Sequence, residues 1–277
     1  MKLKVLTVQN NAIIGNKQAT FNNVDKLLQK YAGKNPDIIT LPEVWSVGWD
    51  CSVFRKSAEE ITDSETIRFL QNVAIEFQCL VIGGSFIEKN AENKYKNTIP
   101  VIDKTGKLVT TYSKMHLFSH KGSEENKFVS TGNTLKLLNY KNTKIGLSVC
   151  YDIRFPELYR AYSKAGAQIY INVAAWSDKK LEHWEIMHRA RAIENQCFMI
   201  VADQTGIINN NENNLGHSMV INPWGDITEC LGKEEGCIYT EIDLQEVTTL
   251  RKDFPLIADR RDKEFDSFKI EEIKINE

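Results

Sequence analysis

The chain has 277 residues, with 35 Lys+Arg against 37 Asp+Glu, a formal net charge of −2 and 42% hydrophobic residues. This near balance of charge gives no general attraction to nucleic acid or to an anionic membrane, so neither is an expected partner. No run of about 18 apolar residues occurs, and the N-terminal apolar stretch is too short for a signal peptide, which predicts a cytoplasmic protein. The six cysteines form no CxxC pair, which argues against a zinc cage and a disulfide framework.

Strand-like apolar runs alternate with helix-like stretches in the first half of the chain. Residues 1–9 read as a strand, and Asn16 then caps a helix whose apolar residues recur with helical spacing. A short buried strand at 37–41 stops at Pro42. Beyond it, the pattern predicts a helix at 66–77, a strand at 79–86, and strands at 97–102 and 108–112 that flank a hairpin turn at 103–107.

The second half continues the alternation. It predicts one helix that begins at Pro156, a second helix at 181–195 and a polar loop at 209–214. The predicted strands are 144–149, 168–173, 197–202, 217–222, 227–230 and 237–242. Because hairpins and helical crossovers both occur, we expect two mixed sheets covered by helices, a layered α/β sandwich. The sequence predicts a single domain over 1–277, of which 251–277 form a C-terminal tail.

Three reactive side chains follow apolar strands: Glu43, Lys114 and Cys150. Ligands bind at the carboxyl ends of strands in open α/β sheets, so we expect the three to converge. A cysteine that lies at a helix start near a lysine favours the thiolate, which can attack a carbonyl or nitrile carbon. Lys114 and the backbone N–H of Tyr151 would stabilise the resulting oxyanion, while Glu43 would transfer the proton.

Each of these residues also has a simpler interpretation. Cysteine is among the most buried residue types, lysine is usually a solvated charge, and a loop glutamate commonly accepts hydrogen bonds from nearby backbone amides. Two other classes of function therefore stay open: an interaction protein that keeps the fold without turnover, and a redox-sensing protein that uses Cys150. A missing reactive residue would indicate the first class, whereas all three are present.

The strings around these residues resemble those of the nitrilase superfamily of carbon-nitrogen hydrolases. The matching segments are Leu41-Pro42-Glu43, the stretch 112–118, the stretch 150–157, and further strings at 183–184, 189–195 and 216–225. The resemblance implies a four-layer α-β-β-α sandwich, a thioester acyl-enzyme, and neither a metal nor an organic cofactor. It also implies a homodimer, paired through the helix after the cysteine and through C-terminal segments.

The resemblance further implies a second glutamate between the lysine and the cysteine. Glu124 and Glu125 are adjacent candidates, and the spacing to Gly132 favours Glu125. Cys150-Tyr151-Asp152 differs from the Cys-Trp-Glu of true nitrilases, which favours an amide substrate. The chain looks most like omega-amidases, which hydrolyse 2-oxo dicarboxylic acid monoamides to acid and ammonia. Deaminated-glutathione amidases share nearly the same strings, and N-carbamoyl amide hydrolases and nitrilases are further alternatives.

Trp45, His116 and Trp176 are the candidates for the walls of a small substrate pocket. Core packing for the tryptophans and a hydrogen-bonded structural role for the histidine are the competing interpretations. Asp152 and Arg154 are expected to fix the turn after Cys150 through ion pairing and backbone hydrogen bonds. The spacing of the histidines in 183–188 does not fit a zinc HExxH motif, so helix packing is favoured there.

Overall fold

The computed structural model describes residues 1–120, 123–209, 212–261 and 272. The helices in these residues are α1 (Lys17–Gln29), α2 (Cys51–Ser57), α3 (Glu65–Phe77), α4 (Pro156–Lys164), α5 (Leu181–Asn195) and α6 (Gln245–Asp253). The strands are β1 (Lys2–Gln9), β2 (Ile38–Thr40), β3 (Leu80–Ile82), β4 (Phe86–Lys89), β5 (Tyr95–Ile102), β6 (Leu108–Ser113), β7 (Ser119–His120), β8 (Ser123–Glu124), β9 (Leu137–Tyr140), β10 (Thr143–Val149), β11 (Ile169–Ala174), β12 (Phe198–Asp203), β13 (Ile207–Asn209), β14 (Glu212–Asn213), β15 (Met219–Ile221), β16 (Ile227–Cys230) and β17 (Gly236–Asp243).

The strands form two large mixed sheets. The first sheet has seven strands in the order β17-β1-β2-β3-β5-β4, with β6 paired to β5, and the second has six in the order β16-β15-β12-β11-β10-β9. The triplets β1-β2-β3 and β10-β11-β12 are parallel, and the other pairs are antiparallel. Parallel neighbours need crossovers, which α1, α3, α4 and α5 provide.

The sheets stack face to face, and helices cover both outer faces. Side chains alternate along β1, so Leu3 and Val5 join the core that contains the inner residues of the second sheet, whereas Leu6 and Val8 pack with α1 and α3. The core of the second sheet continues into α4 and α5 through residues such as Tyr159. This arrangement confirms the predicted four-layer α-β-β-α sandwich.

The predicted strand at 79–86 is in fact two strands, β3 and β4, separated at Gly83-Gly84-Ser85. Gly84 has φ +63°, and a Cβ there would lie 2.2 Å from the Pro42 carbonyl oxygen. Only glycine fits such a close approach in a left-handed conformation. The Ser85 hydroxyl accepts a hydrogen bond from Val44 N at 2.9 Å, so this break supports the loop that carries Glu43.

Two predicted irregular segments contain regular structure. Residues 251–253, predicted to open the tail, are the last turn of α6, and beyond residue 261 only Glu272 lies within the described residues. The predicted polar loop at 209–214 contains the paired strands β13 and β14, and residues 210 and 211 lie outside the described residues. No helix in the described ranges is long and apolar enough to cross a membrane.

Candidate active site

Glu43, Lys114 and Cys150 meet at one point between the sheets. Glu43 follows β2 and Lys114 follows β6, both in the first sheet, whereas Cys150 follows β10 in the second. Glu43 and Lys114 are fully buried and Cys150 is 7% exposed. The Lys114 Nζ lies 2.8 Å from Glu43 Oε1, and Cys150 is close enough for both Glu43 and Lys114 to shift the pKa of its thiol. The structure therefore brings together three side chains that are far apart in the sequence.

Contacts from both sheets fix Glu43. Its Oε2 accepts a hydrogen bond from Ala175 N at 3.0 Å, and its backbone N donates to Ala174 O at 3.2 Å. Ala174 is the last residue of β11, and Ala175 follows it. Its carbonyl oxygen accepts from Gln204 Nε2 at 2.6 Å. The carboxylate is thus held by the second sheet although the chain that carries it belongs to the first.

Glu125, and not Glu124, reaches the lysine. Glu125 is fully buried, and its Oε2 accepts hydrogen bonds from Lys114 Nζ at 2.9 Å and from Phe118 N at 2.8 Å. The side chain of Glu124 is 46% exposed and pairs with Lys127. The ring of Trp49 completes the surroundings of Lys114, with Nζ 4.9 Å from the ring centre.

Asn97 is a residue of this site that the sequence analysis missed. It lies on β5, fully buried, and its Nδ2 is 2.7 Å from Glu43 Oε1 and 3.1 Å from Glu125 Oε1. Its carbonyl oxygen also accepts from Lys114 N at 2.8 Å. Asparagine is depleted in strands, so an Asn within a predicted buried strand was the available signal.

Asp152 holds the turn that carries Cys150. The turn is a 3₁₀ helix over Cys150–Arg154, and Cys150 has φ +44°, a conformation that is uncommon for residues other than glycine. Asp152 Oδ2 accepts from Val149 N at 3.0 Å and from the Tyr112 hydroxyl at 2.7 Å. Because Tyr112 is on β6, Asp152 ties the turn directly to the strand that leads to Lys114.

His116 also contacts Asp152 and helps to hold the turn that carries Cys150. It does not line the pocket, although the sequence made it a candidate for the pocket wall. Its backbone N and its Nδ1 lie 2.9 and 2.8 Å from Asp152 Oδ1. Its ring stacks on Phe155 with 3.7 Å between ring centres. These contacts match the structural role that the sequence analysis gave as the alternative.

Electrostatics in the site favour a protonated thiol at Cys150. Burial, followed by the Glu43 carboxylate, raises the pKa of the Cys150 thiol well above its ordinary value, and the opposing effect of Lys114 does not overcome them. The expectation that a helix start and a lysine would stabilise the free thiolate is therefore wrong. Burial also works against the Lys114 ammonium, but Glu125 and Glu43 hold its pKa well above the ordinary value, so it remains charged.

Glu43 is suited to take the proton from this thiol. Burial raises the pKa of its carboxyl group, and Lys114 opposes that effect. A base with a raised pKa accepts a proton from a high-pKa thiol more readily than an ordinary carboxylate does. The arrangement is therefore chemically able to transfer the thiol proton of Cys150 to Glu43.

A pocket opens above Cys150. Trp176 lines it, as the sequence predicted, together with Trp49, Phe118 and Tyr151. Trp45 does not, so that part of the prediction is wrong: it is fully buried beside Phe21 and Phe69, and its Nε1 donates to Gly83 O at 2.8 Å.

Three charged side chains also line this pocket: Arg154, Lys180 and Glu212. The Arg154 guanidinium lies 5.0 Å from the Trp176 ring centre, and Lys180 Nζ lies 4.9 Å from that of Phe118. Within the described part of the chain neither cation forms a salt bridge, so the expected ion pairing of Arg154 at the turn is not found. The two cations are available to an anionic ligand.

The histidines of α5 do not form a metal site. His188 is fully buried, its Nδ1 lies 2.7 Å from Trp184 O, and burial lowers its pKa to about 3. His183 instead lies near Arg154, 3.5 Å from its Nη2. Across the described ranges, no group of three or more histidine, cysteine, aspartate or glutamate side chains is arranged to hold a metal.

Asp203 is a further buried carboxyl group, and it lies behind the site. Its Oδ1 accepts from Trp176 N at 2.8 Å, whereas its Oδ2 has no hydrogen-bond partner among the described residues. Burial raises the pKa of Asp203 well above its ordinary value, and the Glu43 carboxylate adds to this effect against backbone N–H groups that oppose it. Burial therefore favours the neutral form of the Asp203 carboxyl group in the folded protein.

Comparison with known proteins identifies the family of this chain. Residues 4–252 match the carbon-nitrogen hydrolase family. The chain is 32% identical to 2-oxoglutaramate amidase of Bacillus subtilis, over 94% of this chain and 98% of that one. It is also 32% identical to omega-amidase NIT2 of Danio rerio, over 85% and 86% of the two chains.

A solved structure gives the same result. Nit3 of Saccharomyces cerevisiae, a member of branch 10 of the nitrilase superfamily, superposes with a TM-score of 0.86 at 28% identity, covering 94% of this chain and 97% of that one. The chain belongs to the carbon-nitrogen hydrolase family. It is a hydrolase that acts on carbon-nitrogen bonds other than peptide bonds.

Replacing Asp203 by Asn should stabilise the protein at neutral pH. Because its pKa is raised in the folded state, the folded protein keeps a proton that the unfolded chain releases above about pH 4. The wild-type free energy of unfolding should therefore fall, relative to that of Asp203→Asn, by about 1.4 kcal/mol per pH unit from about pH 4 up to the folded-state pKa. Urea unfolding measured from about pH 4 to 8 checks this slope.

The matched control is Asp253→Asn, at an exposed position of α6. Because this side chain is exposed, the replacement should change the free energy of unfolding little in the same urea experiments. Parallel curves for the wild type and Asp203→Asn would contradict a neutral Asp203.

Proposed function

We propose that this protein is a cysteine-dependent amidase that hydrolyses a small carboxylate-bearing amide to acid and ammonia through a thioester at Cys150. The substrate class is the 2-oxo dicarboxylic acid monoamides, which fits the names of the omega-amidase and 2-oxoglutaramate amidase relatives. The observation that carries the proposal is the junction of Cys150, Glu43 and Lys114 under a pocket lined by Arg154 and Lys180, which form no salt bridge within the described residues.

Acylation begins with transfer of the Cys150 thiol proton to the Glu43 carboxylate. The sulfur then attacks the amide carbon, and the carbonyl π electrons move onto oxygen, where the Lys114 ammonium and the Tyr151 backbone N–H stabilise the oxyanion. The tetrahedral adduct collapses as Glu43 returns the proton to the departing nitrogen. The carbon-nitrogen bond breaks, ammonia leaves, and a thioester remains.

Deacylation repeats these roles with water. Glu43 takes a proton from water, the hydroxyl oxygen attacks the thioester carbon, and the same donors hold the oxyanion. The carbon-sulfur bond then breaks, and the proton on Glu43 returns to sulfur. Glu125 does not touch the reacting atoms in this scheme, but its contacts with Lys114 Nζ and Phe118 N keep the ammonium charged and aimed.

Arg154 and Lys180 would bind the carboxylate at the far end of the substrate. A guanidinium stacked on an aromatic ring is a planar two-pronged donor for a carboxylate, and a nearby ammonium adds a point charge. With Glu212 included, the three charged groups of the pocket sum to one positive charge. An anionic amide therefore has an electrostatic advantage over a neutral one of the same size.

We also propose a homodimer, with an apolar patch made by Ile186, Ile193 and Trp224 at its contact. These side chains are 65%, 46% and 63% exposed. A Cβ on Gly225 would lie 2.4 Å from Ile193 Cγ1, so the turn that carries Trp224 packs directly on α5 and joins the patch. The patch lies beside α4, the helix after the cysteine. Arg160 of α4 forms a salt bridge with Glu194 of α5. Large exposed apolar side chains that cluster commonly mark an interface.

We place the protein in the cytoplasm. All six cysteines are free thiols, and the intermediate or exposed positions of Cys51, Cys230 and Cys237 leave thiols that suit a reducing compartment.

Replacing Cys150 by Ala should abolish ammonia release without changing the fold, because no other cysteine among the described residues lines the pocket. Replacing Lys114 by Met should slow acylation by about 10² to 10³, since it removes an oxyanion donor. Ammonia release from 2-oxoglutaramate and 2-oxosuccinamate measures both effects, and circular dichroism checks the fold. Deaminated glutathione, N-carbamoyl amino acids and simple nitriles complete the screen. Undiminished turnover by Cys150→Ala would sink the mechanism.

Replacing Arg154 by Met should raise the KM for an anionic amide by about 10- to 100-fold with little change in kcat, because the lost contact lies away from the reacting carbon. Hydrolysis of an uncharged amide of the same length should be unaffected. Arg68→Met, in an exposed ion pair on α3, is the control. An equal loss for anionic and neutral amides would rule out carboxylate binding by Arg154.

Replacing Ile186 or Trp224 by Glu should dissociate the dimer, because the charge would be buried against its partner. Analytical ultracentrifugation of the wild type and the variants measures the mass. Val109→Glu, at a 54% exposed position on β6, is the matched control and should leave the mass unchanged. A wild-type monomer, or a dimer that survives both changes, would show that this patch is not the interface.

A further inference from the structure

Asn97 completes a closed ring of hydrogen bonds around the proposed base. Lys114 Nζ donates to Glu43 Oε1 and Glu125 Oε2, and Asn97 Nδ2 lies 2.7 Å from Glu43 Oε1 and 3.1 Å from Glu125 Oε1. Each carboxylate thus receives one bond from the lysine and one from the asparagine. We propose that Asn97 is a positioning residue that keeps Glu43 ionised and oriented to take the proton of Cys150. This inference rests on the proposed role of Glu43 as the base.

The chemistry of the neighbours fixes the orientation of the amide. If the amide were flipped, its oxygen would face two carboxylate oxygens with no hydrogen between them, which is repulsive. With Nδ2 inward, its two hydrogens match the two acceptors. Both hydrogens are therefore used within the site.

The ring selects which oxygen of Glu43 receives the proton. Oε1 already accepts from Lys114 and Asn97, which occupy its two lone pairs, whereas among the described residues Oε2 accepts a hydrogen bond only from the backbone N–H of Ala175. The thiol proton accordingly goes to Oε2. Without Asn97, Oε1 would have a free lone pair and the carboxylate a second position for the proton.

A neutral donor suits this position better than a charged or an apolar group. Two buried carboxylates share one ammonium, and Glu125 raises the pKa of Glu43 further beyond the effect of burial and against Lys114. A second cation in place of Asn97 would hold Glu43 too firmly ionised to accept a proton. An apolar side chain would let its pKa rise until it was protonated in the resting enzyme.

The test is the pH dependence of Cys150 alkylation by iodoacetamide in Asn97→Leu, which keeps the branched shape of the side chain and removes both donors. Mass spectrometry of the peptide that contains Cys150 separates this reaction from that of the exposed Cys230. The acidic limb of the rate should move up by about one pH unit, and the rate below the limb should fall about tenfold, with the high-pH plateau unchanged. The acidic limb of kcat/KM should move by the same amount.

Asn97→Asp should shift the limb further, because it adds a third carboxylate to the cluster. Thr98→Val is the matched control: Thr98 is buried on the same strand, but its hydroxyl bonds to Glu88 and Ser113 instead of the site, so the limb should not move. If Asn97→Leu does not fold, Asn97→Ser, which is too short to span both glutamates, replaces it.

An unchanged limb in the Asn97 variants would overturn the inference, even if the rate fell equally at all pH values, because that pattern belongs to a merely structural residue. The alkylation arm needs no substrate. If the wild type hydrolysed none of the amides, the proposed function would fail, while the shift of the alkylation limb would still decide the role of Asn97.

Discussion

The buried ammonium of Lys114 between Glu43 and Glu125 is the interaction on which the site depends. All three groups are fully buried, so each charge relies on the others and on fixed donors in place of water. Removing one partner from a buried ion pair typically costs about 3–5 kcal/mol, because the remaining charge is left uncompensated. The three side chains come from separate segments of the chain, and Glu43 also accepts from Ala175 N across the sheet interface. The cluster therefore fixes the sheets relative to each other at the pocket.

Several unfavourable features are concentrated at this one end of the sandwich. Cys150 has a left-handed backbone conformation and a thiol with a raised pKa, and Asp203 keeps a carboxyl group buried without a cation. Strain and buried titratable groups of this kind are typical of active sites, where the surrounding structure over-determines them. Here the surrounding structure is the Asp152 network and the hydrophobic cores of both sheets.

Hydrophobic periodicity predicted two mixed sheets covered by helices, and the strand ends predicted that Glu43, Lys114 and Cys150 lie close together. The four-layer order and the choice among interpretations of these residues came from the resemblance to the nitrilase superfamily. The alternation of Leu3 and Val5 with Leu6 and Val8 is visible in one dimension, and so is a reactive residue that follows a buried strand. Asn97 was missed because its partners are Glu43 and Glu125, contacts that no local pattern encodes. Trp45 was placed in the pocket for a related reason. Its ring points into the α1 and α3 layer because of the backbone turn at Gly84, whereas Trp49, four residues on, covers Lys114.

The charge state of Cys150 could not be predicted because desolvation is a property of the folded molecule. The sequence predicted that a lysine and a glutamate lie near the cysteine in space, and these act on its pKa with opposite signs. Burial decided the outcome in favour of the thiol, since removing a charged form from water outweighs one nearby ammonium that two carboxylates already share. Arg154 lies over the Trp176 ring at a partly exposed position, and within the described residues it forms no salt bridge with a carboxylate.

The site therefore divides into two regions with different physical properties. The groups proposed for chemistry are buried and held from both sheets, so their positions tolerate little change. The charges proposed for substrate binding lie in the turn after β10, just before α5 and on β14, where they are partly exposed and hold no fixed ion partner in the described residues. Substitutions of Arg154, Lys180 or Glu212 can alter the preferred acyl group without disturbing the buried ions. The turn from Cys150 to Arg154 is the segment that connects the two sets of side chains. In this proposal the charges that line the pocket determine which substrate is preferred, and the reacting residues stay the same.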